Sequence, residues 1–256
     1  MKKIMVRLII ALVVVAILAV LGVGLFLGKA IKAGVETLGP KVTKVDVKLQ
    51  SVGLSLLSGG GTIKGLMLGN PAGYKTPFAI NVGEASLSLT PGSLLSDKVI
   101  VKSIKIQGPE IAYETNLKDS NLSKIVANMQ GAAGGGQKEP AQPKEAKPAK
   151  KLQVDEFIIT GGKIHVSVTA LGGGTATVPL PDIHFKDLGT GPDGITPEEL
   201  AIKVIGSIEQ GTVKAAAGAV ADIAKGAVYM AKDLGNVDTN AVQSVTKSIG
   251  NLLKKK

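Results

Sequence analysis

Hydrophobic and polar residues follow three rhythms along this chain, and each marks a different kind of element. Residues 8–27, LIIALVVVAILAVLGVGLFL, form an apolar run without a charge. As a helix rising about 1.5 Å per residue the run is about 30 Å long, which matches a bilayer's hydrocarbon core. Residues 1–28 therefore read as an N-terminal transmembrane anchor. A cleaved signal peptide is the rival reading, but its apolar region is only about 7 to 15 residues long, and Gly28-Lys29-Ala30 makes a poor cleavage site. Ile31, Val35 and Leu38 then keep helical spacing until Gly39-Pro40, where the helix is expected to stop.

From Val45 the period changes to two. Val45, Val47 and Leu49 share a face opposite Asp46, Lys48 and Gln50, the mark of a half-buried strand. The phase flips at Ser51, so that Val52, Leu54 and Leu56 carry the apolar side onward, and a bulge near Gly53 would allow this. Gly59-Gly60-Gly61 is a turn, residues 63–68 are a second strand, and Gly69-Asn70-Pro71-Ala72-Gly73 is a loop. Residues 79–90 are a third strand with Ala85, Leu87 and Leu89 on one face. Ile100, Ile104 and Ile106 align on the next, and Gly108-Pro109 is expected to reverse the chain so that Ile111 and Tyr113 return in a hairpin. Ser120 or Asn121 caps a brief helix carrying Leu122, Ile125 and Val126.

Residues 131–151, GAAGGGQKEPAQPKEAKPAKK, cannot bury enough apolar surface to offset backbone ordering, which predicts a disordered linker. Beyond it the pattern repeats. VDEFIITGGKIHVS (154–167) lies over VKSIKIQGPEIAYE (101–114) without a gap, matching Val101 with Val154, Ile106 with Ile159, Gly108 with Gly161 and Ile111 with Ile164. The linker is then an insertion within one sheet system, with a β-rich region at 41–130 and a second β-hairpin region at 152–195. Pro179 and Pro181 mark an edge or a bend. Residues 196–256 read as helical. Thr196 is an N-cap, Pro197 takes the first position, and the glutamates behind it complete a capping box. Leu200, Val204, Ile208, Val220 and Ile223 follow on one side of a long helix, and Val242, Val245, Ile249 and Leu252 stripe a last one. The fold class expected from the pattern is α+β: a transmembrane helix, an antiparallel β-rich sheet whose one apolar face needs a cover, and C-terminal amphipathic helices that can supply it.

Composition changes this picture in three respects. The net charge of +10 suits a nucleic-acid partner, but aromatic residues are only 3% of the chain, which removes the stacking platforms such binding uses. The lysines instead gather in and beside the linker and at Lys254, Lys255 and Lys256, as solvated runs. Lys2, Lys3 and Arg7 before the apolar run outweigh Lys29 and Lys32 after it, which favours a cytoplasmic N-terminus and an exported remainder. Without cysteine there is no lipobox, disulfide framework or thiolate metal site. His165 and His184 stand too far apart, with no partners, to suggest a metal. No nucleophile elbow or phosphate-binding glycine loop occurs, and adjacent Glu198 and Glu199 point in different directions on a helix. No catalytic residue, cofactor or metal is therefore expected, and the chain does not read as an enzyme.

LGNPAGYKTPFAI (68–80), SLTPGSLLSDKVIVKSIKIQGPEIAYE (88–114) and VDEFIITGGKIHVS, placed after an anchor, resemble the AsmA-like family of membrane-anchored bacterial proteins. Its wider relatives include TamB and the chorein-type lipid-transfer proteins. The resemblance implies an inner-membrane protein with a single span and most of its chain in the periplasm. It also implies a sheet curled into a groove for lipid acyl chains, and a part in envelope lipid transport or outer-membrane homeostasis. The groove candidates are Leu87, Leu89, Ile104, Ile106, Ile111 and Tyr113, with Phe157, Ile159, Ile164 and Val166 at the repeat's equivalent positions. The partners expected are the membrane, lipid and other envelope proteins, and no nucleic acid. Nine strands side by side would make a groove of about 40 Å, too short to bridge two membranes. The alternative is a membrane-tethered adaptor or assembly factor acting through protein contacts.

Overall fold

The computed structural model of the chain describes residues 2–134, 150–169 and 174–233. Helix α1 (Lys2–Thr43) runs through the apolar stretch, whose side chains up to residue 21 lie outside those described. Among the described residues no helix is long and apolar enough to cross a membrane, so the anchor stays an expectation. The helix does not stop at Gly39-Pro40 but carries Pro40 in its last turns. A proline there forfeits one helical hydrogen bond. Packing keeps the helix going: Val35 and Val42 lie on the core, and Gly39 lets the backbone approach Val47, whose Cγ2 would be 2.8 Å from an added Cβ. Lys44, at φ 58, ends it.

Nine strands follow: β1 (Val47–Leu54), β2 (Gly60–Leu68), β3 (Ile80–Leu89), β4 (Lys98–Gln107), β5 (Glu110–Thr115), β6 (Lys151–Thr160), β7 (Lys163–Val168), β8 (Gly174–Pro179) and β9 (Ile183–Leu188). A 3-10 turn (Pro91–Leu95) joins β3 to β4, α2 (Asn121–Gly134) follows β5, and α3 (Pro197–Asp233) follows β9. All nine strands form one mixed sheet curled into a half-barrel. The α+β class holds, and the antiparallel sheet is corrected in two places.

The first correction concerns Gly108-Pro109, which bends the strand without reversing it. β4 and β5 run in the same direction along one edge of β3: Ala85 faces Ile106, and further back Asn81 faces Glu110. Gly108 takes φ +59, open to glycine at little cost, and Pro109 fixes the next residue. The second correction is that β6 and β7 repeat this bent strand and pair with it in parallel. Val101 lies against Val154, Ile106 against Ile159, and Ile111 against Ile164, so the sequence repeat and the strand register coincide. Parallel neighbours need a crossover. Between β5 and β6 the described part of that crossover is α2. Of the segment expected as a linker, residues 131–134 belong to α2 and Lys151 to β6, and residues 135–149 lie outside those described.

β8 and β9 make a further bent strand, antiparallel to β7 and β6, with Pro179 and Pro181 on that edge. Because these strands lie end to end in pairs, the sheet is six strands wide, about 24 Å across its five spacings of about 4.8 Å. One level is common to all of them. The buried set changes phase between Val82 and Ala85 in β3, and between Ile159 and Ile164 in β6 and β7. Gly65 (φ 61), Gly108 (φ 59) and Gly161 (φ 64) stand along this seam. The phase change near Ser51 belongs to it too. The β1–β2 register is continuous from Val47 with Leu68 to Leu54 with Gly61, so no bulge forms at Gly53, and Gly65 opposite Gln50 takes its place. α2 and α3 pack on the curled sheet over Ile111, Ile164, Val166 and Val168, adding Leu122, Ile125, Met129, Ile208 and Val220 to one core. The second C-terminal helix expected near residues 239–253 lies outside those described.

Candidate functional site

The sheet does not meet the helices everywhere. Between the outer half of α1 and the first turns of α3 lies an apolar cavity of about 430 Å³. Ile31, Val35, Leu38 and Val42 of α1 form one wall, and Ala201, Val204, Ile205 and Ile208 of α3 form another. The sheet supplies the floor, with Leu66, Leu68, Ile80, Val82 and Ile106. Ile31 and Leu38, 41% and 53% exposed, stand at the rim. The volume falls within the range of ordinary ligand sites, about 300 to 1,000 Å³.

Each wall is held by a local device. α1 lies against β1 through a charged latch: the Glu36 carboxylate accepts the Leu49 N–H at 3.0 Å, and Lys32 donates to both the Leu49 carbonyl and Glu36. These bonds satisfy backbone groups of an edge strand that would otherwise be open. They also hold the Glu36 carboxyl below its ordinary pKa, the Lys32 hydrogen bond first and the Leu49 N–H second. α3 starts in the expected capping box, with the Thr196 N–H on Glu199 Oε2 at 2.8 Å and the Glu199 N–H on Thr196 Oγ1 at 3.0 Å. The Thr196 N–H first, and a hydrogen bond from the Thr196 side chain second, lower the Glu199 carboxyl pKa as well.

The floor is positioned by the Asn-Pro-x-Gly loop. The Asn70 amide donates to the Thr76 carbonyl and hydroxyl, and Asn121 at the start of α2 donates to Asn70 Oδ1 and to the Ala112 carbonyl. The buried Glu114 carboxylate accepts the N–H groups of Lys75 and Thr76 at 2.8 and 3.0 Å. The loop is thus pinned to β5 and α2, and β3 leaves it at a fixed angle.

Of the residues proposed from the sequence, Ile106 lines the cavity. Ile104 and Leu87 are half-buried. Leu89, Ile111, Tyr113, Phe157, Ile159, Ile164 and Val166 are buried in the core. Burial pushes the Tyr113 phenol up, against hydrogen bonds from Ser120 and Thr115. The α1 and α3 walls were missed because residues so far apart in sequence share no local pattern. Their common signal is helical apolar spacing on both, at Ile31, Val35, Leu38 and at Leu200, Val204, Ile208. His165 and His184 lie near Thr177 and Glu156 respectively, and no metal-ligating cluster occurs among the described residues.

A model of the AsmA family matches residues 1–178, more than half of the chain. The chain belongs to the AsmA family. No curated protein and no solved structure matches it. In this AsmA member the cavity joins matched and unmatched parts, since α1, the β1–β3 floor and Met129 fall within the match and the α3 wall falls beyond it.

Proposed function

We propose that this AsmA-family protein is anchored in the inner membrane by residues 8–27, with a cytoplasmic N-terminus and a periplasmic sheet. Its cavity takes up a lipid acyl chain, and the protein serves envelope lipid transport or outer-membrane homeostasis without catalysing a reaction. The observation that carries this reading is that α1, the helix that carries the apolar run, is itself a cavity wall. Ile31, the first lining residue, comes four residues after Leu27, about 6 Å along the helix, so the rim sits where a lipid leaving the leaflet would pass. Each methylene transferred from water to such a site gains about 0.8 kcal/mol. The sheet is far too narrow to bridge an envelope, so the protein acts at one membrane or hands lipid to a longer partner.

The test is lipid mass spectrometry of the purified full chain beside Ala201→Trp, which fills the cavity from α3 without adding a charge. Wild type should carry phospholipid or fatty acid, and the variant should keep its circular dichroism and lose most of that lipid. Equal lipid in both, or none in either, contradicts the reading. A reporter active only in the periplasm should work when fused after Lys256 and fail at Met1.

A further inference from the structure

Among the described residues, the exposed large hydrophobic side chains fall in three places. Ile31 and Leu38 rim the cavity, and Val23, Leu25 and Phe26 lie in the last turns of the apolar run. Leu57 and Leu95, 72% and 94% exposed, belong to neither group and stand in two turns at one end of the sheet. The β1–β2 turn is closed by the Gly59 N–H on Ser55 O, and the Leu89 N–H donates to Gly59 O at 2.7 Å. The turn is therefore fixed to the end of β3, from which Pro91–Leu95 continues. Lys150 donates to the Leu94 carbonyl beside it.

α1 gives the level at which this end lies. β1 runs back down the helix: Gly39 abuts Val47, Glu36 is bonded to Leu49, Gly28 abuts the Val52 carbonyl and Gly24 abuts the Leu54 carbonyl. From Val47 to Leu54 a strand advances about 23 Å, and from Gly39 to Gly24 a helix retreats about the same distance, so the two run in step. Gly24 lies three residues inside the apolar run, about 5 Å along the helix. The turn beyond Leu54 reaches at least as far.

We propose that this end of the sheet is a membrane-contact surface, with Leu57 and Leu95 entering the edge of the leaflet that holds the anchor and Lys29 and Lys150 at phosphate level. The partner is the phospholipid bilayer itself. Apolar groups of interfacial proteins enter to about 5 to 10 Å, which suits the level read from Gly24. The proposal rests on the anchor reading, and it means that the protein stands on the membrane at two places, with the cavity rim held close to the surface.

The chain has no cysteine, so one introduced thiol gives one labelled site. Full-length Leu57→Cys and Leu95→Cys, each carrying an environment-sensitive fluorophore, are reconstituted in phosphatidylethanolamine and phosphatidylglycerol vesicles. Val14→Cys reports the anchor, and Lys118→Cys, beyond the far end of β5, reports a solvent-exposed position. Labels at 57 and 95 should lose emission to lipid-borne spin quenchers, as the label at 14 does, and resist aqueous iodide, which quenches 118. Quenching by lipid at 14 alone, with 57 and 95 open to iodide, overturns the contact surface and leaves the anchor standing. No lipid quenching at 14 overturns the anchor as well. Labels at 57 and 95 shielded from both quenchers point to a covering protein and also overturn the proposal.

Discussion

Glu114, 2% exposed, is a buried carboxylate whose two listeners are backbone N–H groups of the Asn-Pro-x-Gly loop. Removing it should leave the Lys75 and Thr76 donors unpaired, at a cost of about 1 to 3 kcal/mol. Chemical denaturation of Glu114→Ala should show that loss, and Glu114→Gln, which keeps a carbonyl acceptor, should lose less. Equal stability of Glu114→Ala and wild type would contradict the pinned loop. This residue was not legible in the sequence. Alternation in Glu110–Thr115 places Glu114 on the polar side of a half-exposed strand, whereas Ile111 through Thr115 are all buried, because the loop and α2 cover the second face. Val45, Val47 and Leu49 were legible because their strand has one exposed face, with Asp46, Lys48 and Gln50 pointing to solvent.

A local signal is followed where no distant partner competes with it, and Gly39-Pro40 fails to stop α1 because the helix packs on through Gly39 against Val47. The capping box of α3 lies within four residues, and the structure forms both of its bonds. Gly108-Pro109 carries the same residues whether it reverses a strand or bends it, and β3, long enough to take β4 and β5 in line, decides for the bend. The ungapped repeat held the clue, since two copies of one bent strand can pair in parallel at that same offset. Gly108→Val should therefore destabilise the protein by about 1 to 2 kcal/mol, as a β-branched residue is strained at positive φ, and a lowered denaturation midpoint would show it. No change would mean that the seam tolerates an ordinary strand residue.

The α1–β1 latch makes a prediction about pH. Glu36 has its carboxyl pKa lowered in the folded chain, so the latch is complete above the ordinary carboxylate value of 4.5 and is lost as pH falls through the lower folded value. Hydrogen exchange at the Leu49 amide, corrected for its intrinsic rate, should lose protection on acidification in wild type. In Glu36→Gln protection should be weaker at neutral pH and should not change with acid. The same acid response in both would assign it to another group.

At the scale of the whole molecule, α1, the half-barrel and α3 meet around a space that none of them encloses alone. Strand alternation could show that the sheet has an apolar face, but it could not show which part of that face the helices cover. α2 and the middle of α3 close the part over Ile111, Ile164 and Val166, leaving the β1–β3 part open beside α1. The central claim is that an acyl chain occupies that open part. Its most direct test is photocrosslinking of the full-length protein in membranes containing a phospholipid with a photoreactive group on its acyl chain, followed by peptide mapping. The account predicts adducts on residues 31–42 and 197–208, in addition to those on the anchor, and their loss in Ala201→Trp. Adducts confined to residues 8–27, or unchanged by the filled cavity, would contradict it.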